Sequence, residues 1–84
     1  MNNSQPNVLA IIIKYSEPLQ RYASFIIKDP DMAVIIVKNV FELLYDENRF
    51  DKPEKELRLY LKNHTLTACT YWRYAQALQK VQKN

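Results

Sequence analysis

The chain has 84 residues, a net charge of +3, one cysteine and no glycine. That length allows one small domain, which buries only about 60% of its unfolded surface. A lone cysteine excludes an intramolecular disulfide, and no Cys/His cluster offers zinc ligands. Missing glycine excludes glycine-rich phosphate loops and argues against turns that need positive φ. Hydrophobic residues make up 48% of the chain, which suits helices joined by short polar loops. No apolar run reaches the roughly 18 residues of a membrane span. The opening MNNSQPN lacks the positive charge of a secretory signal, so a soluble cytoplasmic protein is expected.

The first helical pattern runs from about Val8 to Ile27. Val8, Ile11, Ile12, Tyr15, Leu19, Tyr22, Ala23 and Ile26 share one face at 3.6 residues per turn. Pro18 lies inside it. Proline removes a helix hydrogen bond and clashes with the preceding turn, so a kink or break is expected near Ser16–Glu17. Ser16 would cap a restarted helix.

The second helix has a clear start. Asp29 suits the N-cap, Pro30 the first helical position, and Asp31 the positive end of the dipole. The spacing predicts a helix to about Tyr45, with Ala33, Ile36, Val37, Val40, Phe41 and Leu44 as its core face. Val34 and Ile35 fall outside that face, so the run from Met32 to Val37 is apolar nearly all round. Such a helix is normally covered on more than one side. The N-terminal VLAIII run of the same chain is one candidate cover, and a second copy of the chain is the other. Residues Asp46–Lys52 read as a polar loop, with Phe50 its lone large apolar residue.

The third pattern starts near Pro53, with Glu54 and Glu56 in the first turn. Leu57, Tyr60, Leu61, His64, Ala68, Tyr71, Trp72, Ala75 and Leu78 hold one register, so one long helix is predicted. Weak propensity in Asn63–Thr67 leaves room for a local break. Fraying is expected at residues 1–6 and 81–84. The three helices form an all-α bundle, or four helices if Pro18 breaks the first. The alternative is a helical hairpin completed by a second copy.

Little in the sequence supports catalysis, and no enzyme, metal or cofactor is expected. His64 falls in the apolar face of the third helix and reads as a core histidine held by a hydrogen bond. Cys69 falls on the polar side of that helix and reads as an incidental free thiol.

Charge is unevenly placed. Residues 1–56 carry net −2, while residues 57–84 carry +5 and no acid. At about 100° per residue, Arg58, Lys62, Arg73 and Lys80 fall within a sector of roughly 60°, with Lys83 beside it. Such a stripe suits nucleic-acid phosphates, and nearby Tyr74 suits stacking on unpaired bases. The plain reading of the same residues is a solvated helix face. Tyr71 and Trp72 sit on or beside the core face and read as packing residues first.

The stretch KDPDMAVIIVKNVFELLYDENRF resembles the polymerase-binding helix of region 2 in sigma-70 family initiation factors, most of all the extracytoplasmic-function (ECF) group. The family pattern D-P-x-x-A-x-D-I-V-Q-E-V-F-x-x-L-W is matched by Asp29, Pro30, Ala33, Ile36, Val37, Val40, Phe41 and Leu44. Val34, Ile35 and Asn39 stand where acidic residues are usual. In the later run LRLYLKNHTLTACTYWRY, Leu57, Arg58, Tyr60, Leu61, Tyr71 and Arg73 fit the family. Its Arg-Asn pair is Thr65 and Leu66 here, and the acid before the tyrosine is Thr70. The family's second, C-terminal helix-turn-helix domain has no counterpart in these 84 residues.

The resemblance implies a region 2 fold that binds core RNA polymerase through the second helix. Val34, Ile35, Lys38, Asn39 and Glu42 would lie at that interface, which is greasier than the family's. It also implies contact with single-stranded minus-ten promoter DNA through Arg58, Lys62, Arg73, Tyr74, Lys80 and Phe50. An anti-sigma factor is a further implied partner, and no membrane is involved. The substitutions at Val34, Ile35, Asn39, Thr65 and Leu66 favour an alternative. That alternative is a divergent sigma-like protein-interaction module, or a dimer, without promoter melting.

Overall fold

The computed structural model describes residues 8–82. It contains three helices: α1 (Val8–Ile27), α2 (Pro30–Asp46) and α3 (Glu54–Gln82). Among the described residues there is no strand, and no helix is long and apolar enough to cross a membrane. The expectations for residues 1–6 and for Lys83 and Asn84 lie outside the described residues. Val81 and Gln82, expected to fray, still belong to α3.

Each helix packs on the other two. Val8 shares a groove with Tyr45 and Asp46, and Gln20 shares it with Val34, so α1 and α2 are antiparallel. Lys14 and Tyr15 meet Glu54, while Tyr22 lies beside Lys62 in one cleft, so α3 runs parallel to α1. The bundle is therefore up-down-up.

The expected break at Pro18 does not occur. α1 is continuous across it, and Ser16 is an interior residue rather than a cap. Pro18 faces solvent, while Tyr15, Leu19, Ala23 and Ile27 stay buried in a single register. That buried face holds the helix together across the lost Pro18 hydrogen bond, a defect that costs about 3 kcal/mol in a helix interior.

α2 forms as its sequence signals require. The Asp29 carboxylate accepts from the Met32 backbone N–H at 3.0 Å, Pro30 opens the helix, and the core face is Ala33, Ile36, Val37, Val40, Phe41 and Leu44. The connection from α1 has a feature that a glycine-free chain argued against. Lys28 has φ 60° and Asn48 has φ 55°, both in the left-handed region. Lys28 still bonds its N–H to the Ser24 carbonyl at 2.8 Å, which closes the last turn of α1. A non-glycine residue held there costs roughly 1–2 kcal/mol.

α3 is one unbroken helix, but its core face is rotated from the expected one. The buried line is Leu57, Leu61, Thr65 and Cys69. Tyr60, His64, Ala68, Trp72 and Ala75 flank it, half-buried, whereas Tyr71 and Leu78 are exposed. Cys69 is thus a core residue and not a polar-face thiol, because the bundle closes over this sector of α3. Burial pushes its thiol pKa up. Thr65 is fully buried, and its Oγ1 has no hydrogen-bond partner.

Candidate functional site

Two surfaces carry the residues singled out in the sequence. The first is the basic side of α3. Arg58, Lys62, Arg73 and Lys80 are all exposed, and none lies in an ion pair among the described residues. From Arg58 to Lys80 the helix rises about 33 Å. Arg58 and Lys62 edge the cleft between α1 and α3, beside Lys14 and Tyr22. Lys14 itself is neutralised by Glu54, whose carboxylate also accepts from the Tyr15 hydroxyl at 2.5 Å. Hydrogen bonds from Lys14 and Tyr15 hold the Glu54 carboxyl below its ordinary range and keep that acid charged.

The stripe is not continuous. Cys69 lies in its sector and is buried, so the four charges fall into two pairs, Arg58/Lys62 and Arg73/Lys80. Exposed Leu66 and Thr70 occupy the surface between them. Thr65 stands where the family pattern places a basic residue, and it faces the core. Tyr74 is exposed, as expected, about 100° round the helix from Arg73, while Tyr71, 75% exposed, lies on the far side of α3 from the stripe, at the cleft with α2. The sequence reading missed Tyr71 as a surface residue because its spacing matched the core register.

The loop between α2 and α3 departs more sharply from expectation. Phe50, expected to face DNA, is only 4% exposed. Its ring meets Tyr45 edge-on, with centroids 6.4 Å apart. Stacking on a base would require removing it from the core, so its role is to anchor the loop. Glu47 completes that anchor. Its Oε1 accepts from the Tyr60 hydroxyl at 2.7 Å and from Arg49 Nε at 2.9 Å. Arg49 also lies 5.5 Å from the Tyr60 ring centroid. Burial and the Glu47 carboxylate push the Tyr60 hydroxyl up to about 12. The Tyr60 hydrogen bond, with help from Arg49, lowers the Glu47 pKa. His64 stacks on Tyr60 at 4.1 Å and is half-buried, rather than enclosed in the core.

The second surface is the outer face of α2. Val34 and Ile35 remain 47% and 48% exposed. The VLAIII run does not cover them, because Val8, Ile11 and Ile12 turn toward the main core instead. Val8, Ile12 and Val34 line an open groove of about 690 Å³ between α1 and α2. Lys38 and Glu42 stand on its α2 rim. Asn39 is exposed on the other side of α2, where it lines a shallower cleft toward α3 with Leu43 and Tyr71. The structure therefore brings Val34, Lys38 and Glu42 together and sets Asn39 apart.

Among the described residues, no group of three or more His, Cys, Asp or Glu side chains could hold a metal ion. Compared with known proteins, the chain matches no family model, no curated protein and no solved structure.

Proposed function

We propose that this chain is a sigma-like transcription module. It docks on RNA polymerase through the outer face of α2 and presents the basic side of α3 to single-stranded promoter DNA. The observation that carries this reading is the stripe of four exposed cations with no ion-pair partner among the described residues. Uncompensated Arg and Lys along one helix attract phosphates at a distance and release counterions on contact. Exposed Tyr74, about 100° round the helix from Arg73, adds a face on which an unpaired base stacks. The Asp29–Pro30 cap and the apolar frame of α2 supply the family resemblance.

A second reading draws on other residues. Thr65 and Phe50 are buried, and both stand in segments where the family reads bases. Val34 and Ile35 offer an apolar surface where the family has acids. These features favour a sigma-like protein-interaction module that does not melt promoters, with an anti-sigma factor or other regulator as its partner.

The test is capture of core RNA polymerase by the tagged chain, with a Val34→Glu/Ile35→Asp variant alongside. The initiation reading expects capture by at least one of the two. If neither retains polymerase, the docking role of α2 is wrong and the second reading stands.

A further inference from the structure

We infer that the cleft between α1 and α3 seats one unpaired base of the bound strand, with the adjoining phosphates on Arg58 and Lys62. The inference rests on the reading of α3 as a strand-binding helix, and it adds the place where a base leaves water.

Two parallel rows of side chains build the cleft. Glu54 of α3 meets Lys14 of α1 at a sequence offset of 40. The two helices run parallel, so at equal rise Pro18 comes level with Arg58 and Tyr22 with Lys62, each pair about 6 Å from the next. Lys14, Pro18 and Tyr22 recur every four residues and form one wall. Arg58 and Lys62, spaced in the same way, form the other. Tyr15, Leu19 and Leu61 are the buried floor. The space between is about 410 Å³, within the range of small-ligand sites.

Charge chooses the occupant. Arg58 and Lys62 line the cleft themselves, and neither is in an ion pair among the described residues. Glu54 stands at one end, but its carboxylate is already held by Lys14 and by the Tyr15 hydroxyl. Among the described residues, no acid lines the cleft itself. An apolar floor with two free cations on one wall calls for a flat apolar body joined to an anion. One nucleotide has both. The Arg58 guanidinium takes a phosphate through two parallel hydrogen bonds, and Lys62 takes the next as a point charge.

The other wall supplies what a base needs. Tyr22 is half-buried and makes no hydrogen bond, ring contact or cation contact among the described residues. That leaves an aromatic surface on which a base stacks. Pro18, exposed, sits one turn before it. Proline has no N–H, so the Lys14 carbonyl lacks its helix donor and is left to accept from a base N–H. A proline kept inside a continuous helix costs the fold stability, and such a local violation is expected where a ligand is handled.

The experiment is fluorescence anisotropy with two labelled probes, a thymidine strand of about ten nucleotides and an abasic strand of the same length. The parent should bind the thymidine strand about fivefold or more tighter than the abasic one. Tyr22→Leu should weaken the thymidine strand about fivefold and leave the abasic strand unchanged, with the same salt slope, since it removes no charge. Pro18→Ala returns the N–H that the Lys14 carbonyl lacks. It should raise the melting temperature and yet weaken the thymidine strand about two- to tenfold, which keeps the test decisive if Tyr22→Leu does not fold. Tyr22→Leu weakening both strands equally, or neither, overturns the inference and leaves the cleft to another occupant, such as an acidic protein segment. So does a Pro18→Ala chain that binds the thymidine strand as tightly as the parent. A parent that binds neither strand overturns the strand-binding reading and this inference with it, whereas salt-dependent binding untouched by Tyr22→Leu overturns this inference alone.

Discussion

The Tyr60 hydroxyl donates to Glu47 Oε1 at 2.7 Å, which ties the loop after α2 to the second turn of α3. Phe50 anchors the same loop from below, in the core. The loop that the sequence marked as a DNA-facing segment is thus held at both its polar and its apolar contacts. Tyr60→Phe removes the polar one. Backbone amide exchange between Glu47 and Lys52 should speed up about two- to fivefold, the range of one exposed hydrogen bond, while exchange in α2 stays unchanged.

The same pair sets a pH signature. Tyr60 is raised from 10.0 to about 12 in the folded chain. The folded state therefore holds its proton more tightly than the unfolded state. The stability this supplies is complete below pH 10 and is lost as pH rises toward 12. Glu47 is lowered from 4.5, so its contribution is present above that pH and is lost as pH falls below it. Urea midpoints across pH should show both arms flattened in Tyr60→Phe relative to the parent. An alkaline arm unchanged by the substitution would mean that Tyr60 is not the titrating group. Tyr15 is also raised, so a smaller alkaline loss should survive in the variant.

Thr65 buries a hydroxyl whose Oγ1 has no partner. Burying such a group costs about 1–3 kcal/mol by mutational measure. Valine has nearly the same shape without the polar atom. Thr65→Val should therefore stabilise the chain by about 1 kcal/mol and raise the melting temperature by roughly 4–8 °C. A fall in melting temperature would mean that the hydroxyl does have a partner in solution.

Lys28 occupies the left-handed region at φ 60° with a side chain that gains nothing from that geometry except a loose approach of Nζ to the exposed Phe25 ring, 5.3 Å from its centroid. Glycine adopts this conformation without the steric cost, though it adds freedom to the unfolded chain. Lys28→Gly should raise the unfolding free energy by about 0.5–1 kcal/mol, read from the urea midpoint. A loss of stability would show that the turn between α1 and α2 has another geometry.

How far the sequence disclosed this structure differs from helix to helix. α2 was fully legible, since its cap, its proline and its apolar spacing all agree. α3 was legible as a helix but not in its facing. Leu57, Leu61, Thr65 and Cys69 recur every four residues, and that row drifts around the helix instead of holding one face. Thr65 and Cys69 are small, and their burial follows from close helix packing, which a hydrophobic pattern does not weigh. Tyr71 and Leu78 fit the apolar period and yet protrude, because the buried row has drifted away from their side of α3; Tyr71 only edges the cleft with α2. Pro18 misled for a related reason. The rule that proline breaks helices is local, while the buried face that holds α1 together is tertiary.

The candidate site shows the same division. Exposure of Arg58, Lys62, Arg73 and Lys80 followed from their charge and not from their angular sector, since Cys69 shares that sector and is buried. Burial of Phe50 did not, because a lone aromatic in a polar loop looks alike whether it anchors the loop or waits for a ligand. The half-exposure of Val34 and Ile35 depended on where the N-terminal turns of α1 go, which periodicity does not specify.

The central claim is that the basic side of α3 binds single-stranded DNA. Its most direct test is fluorescence anisotropy of a labelled single strand carrying a minus-ten-like sequence, titrated with the parent chain and with Arg58→Ala/Lys62→Ala/Arg73→Ala over a series of salt concentrations. The parent should weaken linearly as salt rises on logarithmic axes. The triple variant should bind at least about tenfold more weakly at low salt, with a slope shallower by roughly 2, as expected for three lost phosphate contacts on a single strand. Affinity independent of salt and equal in the two chains would contradict the account.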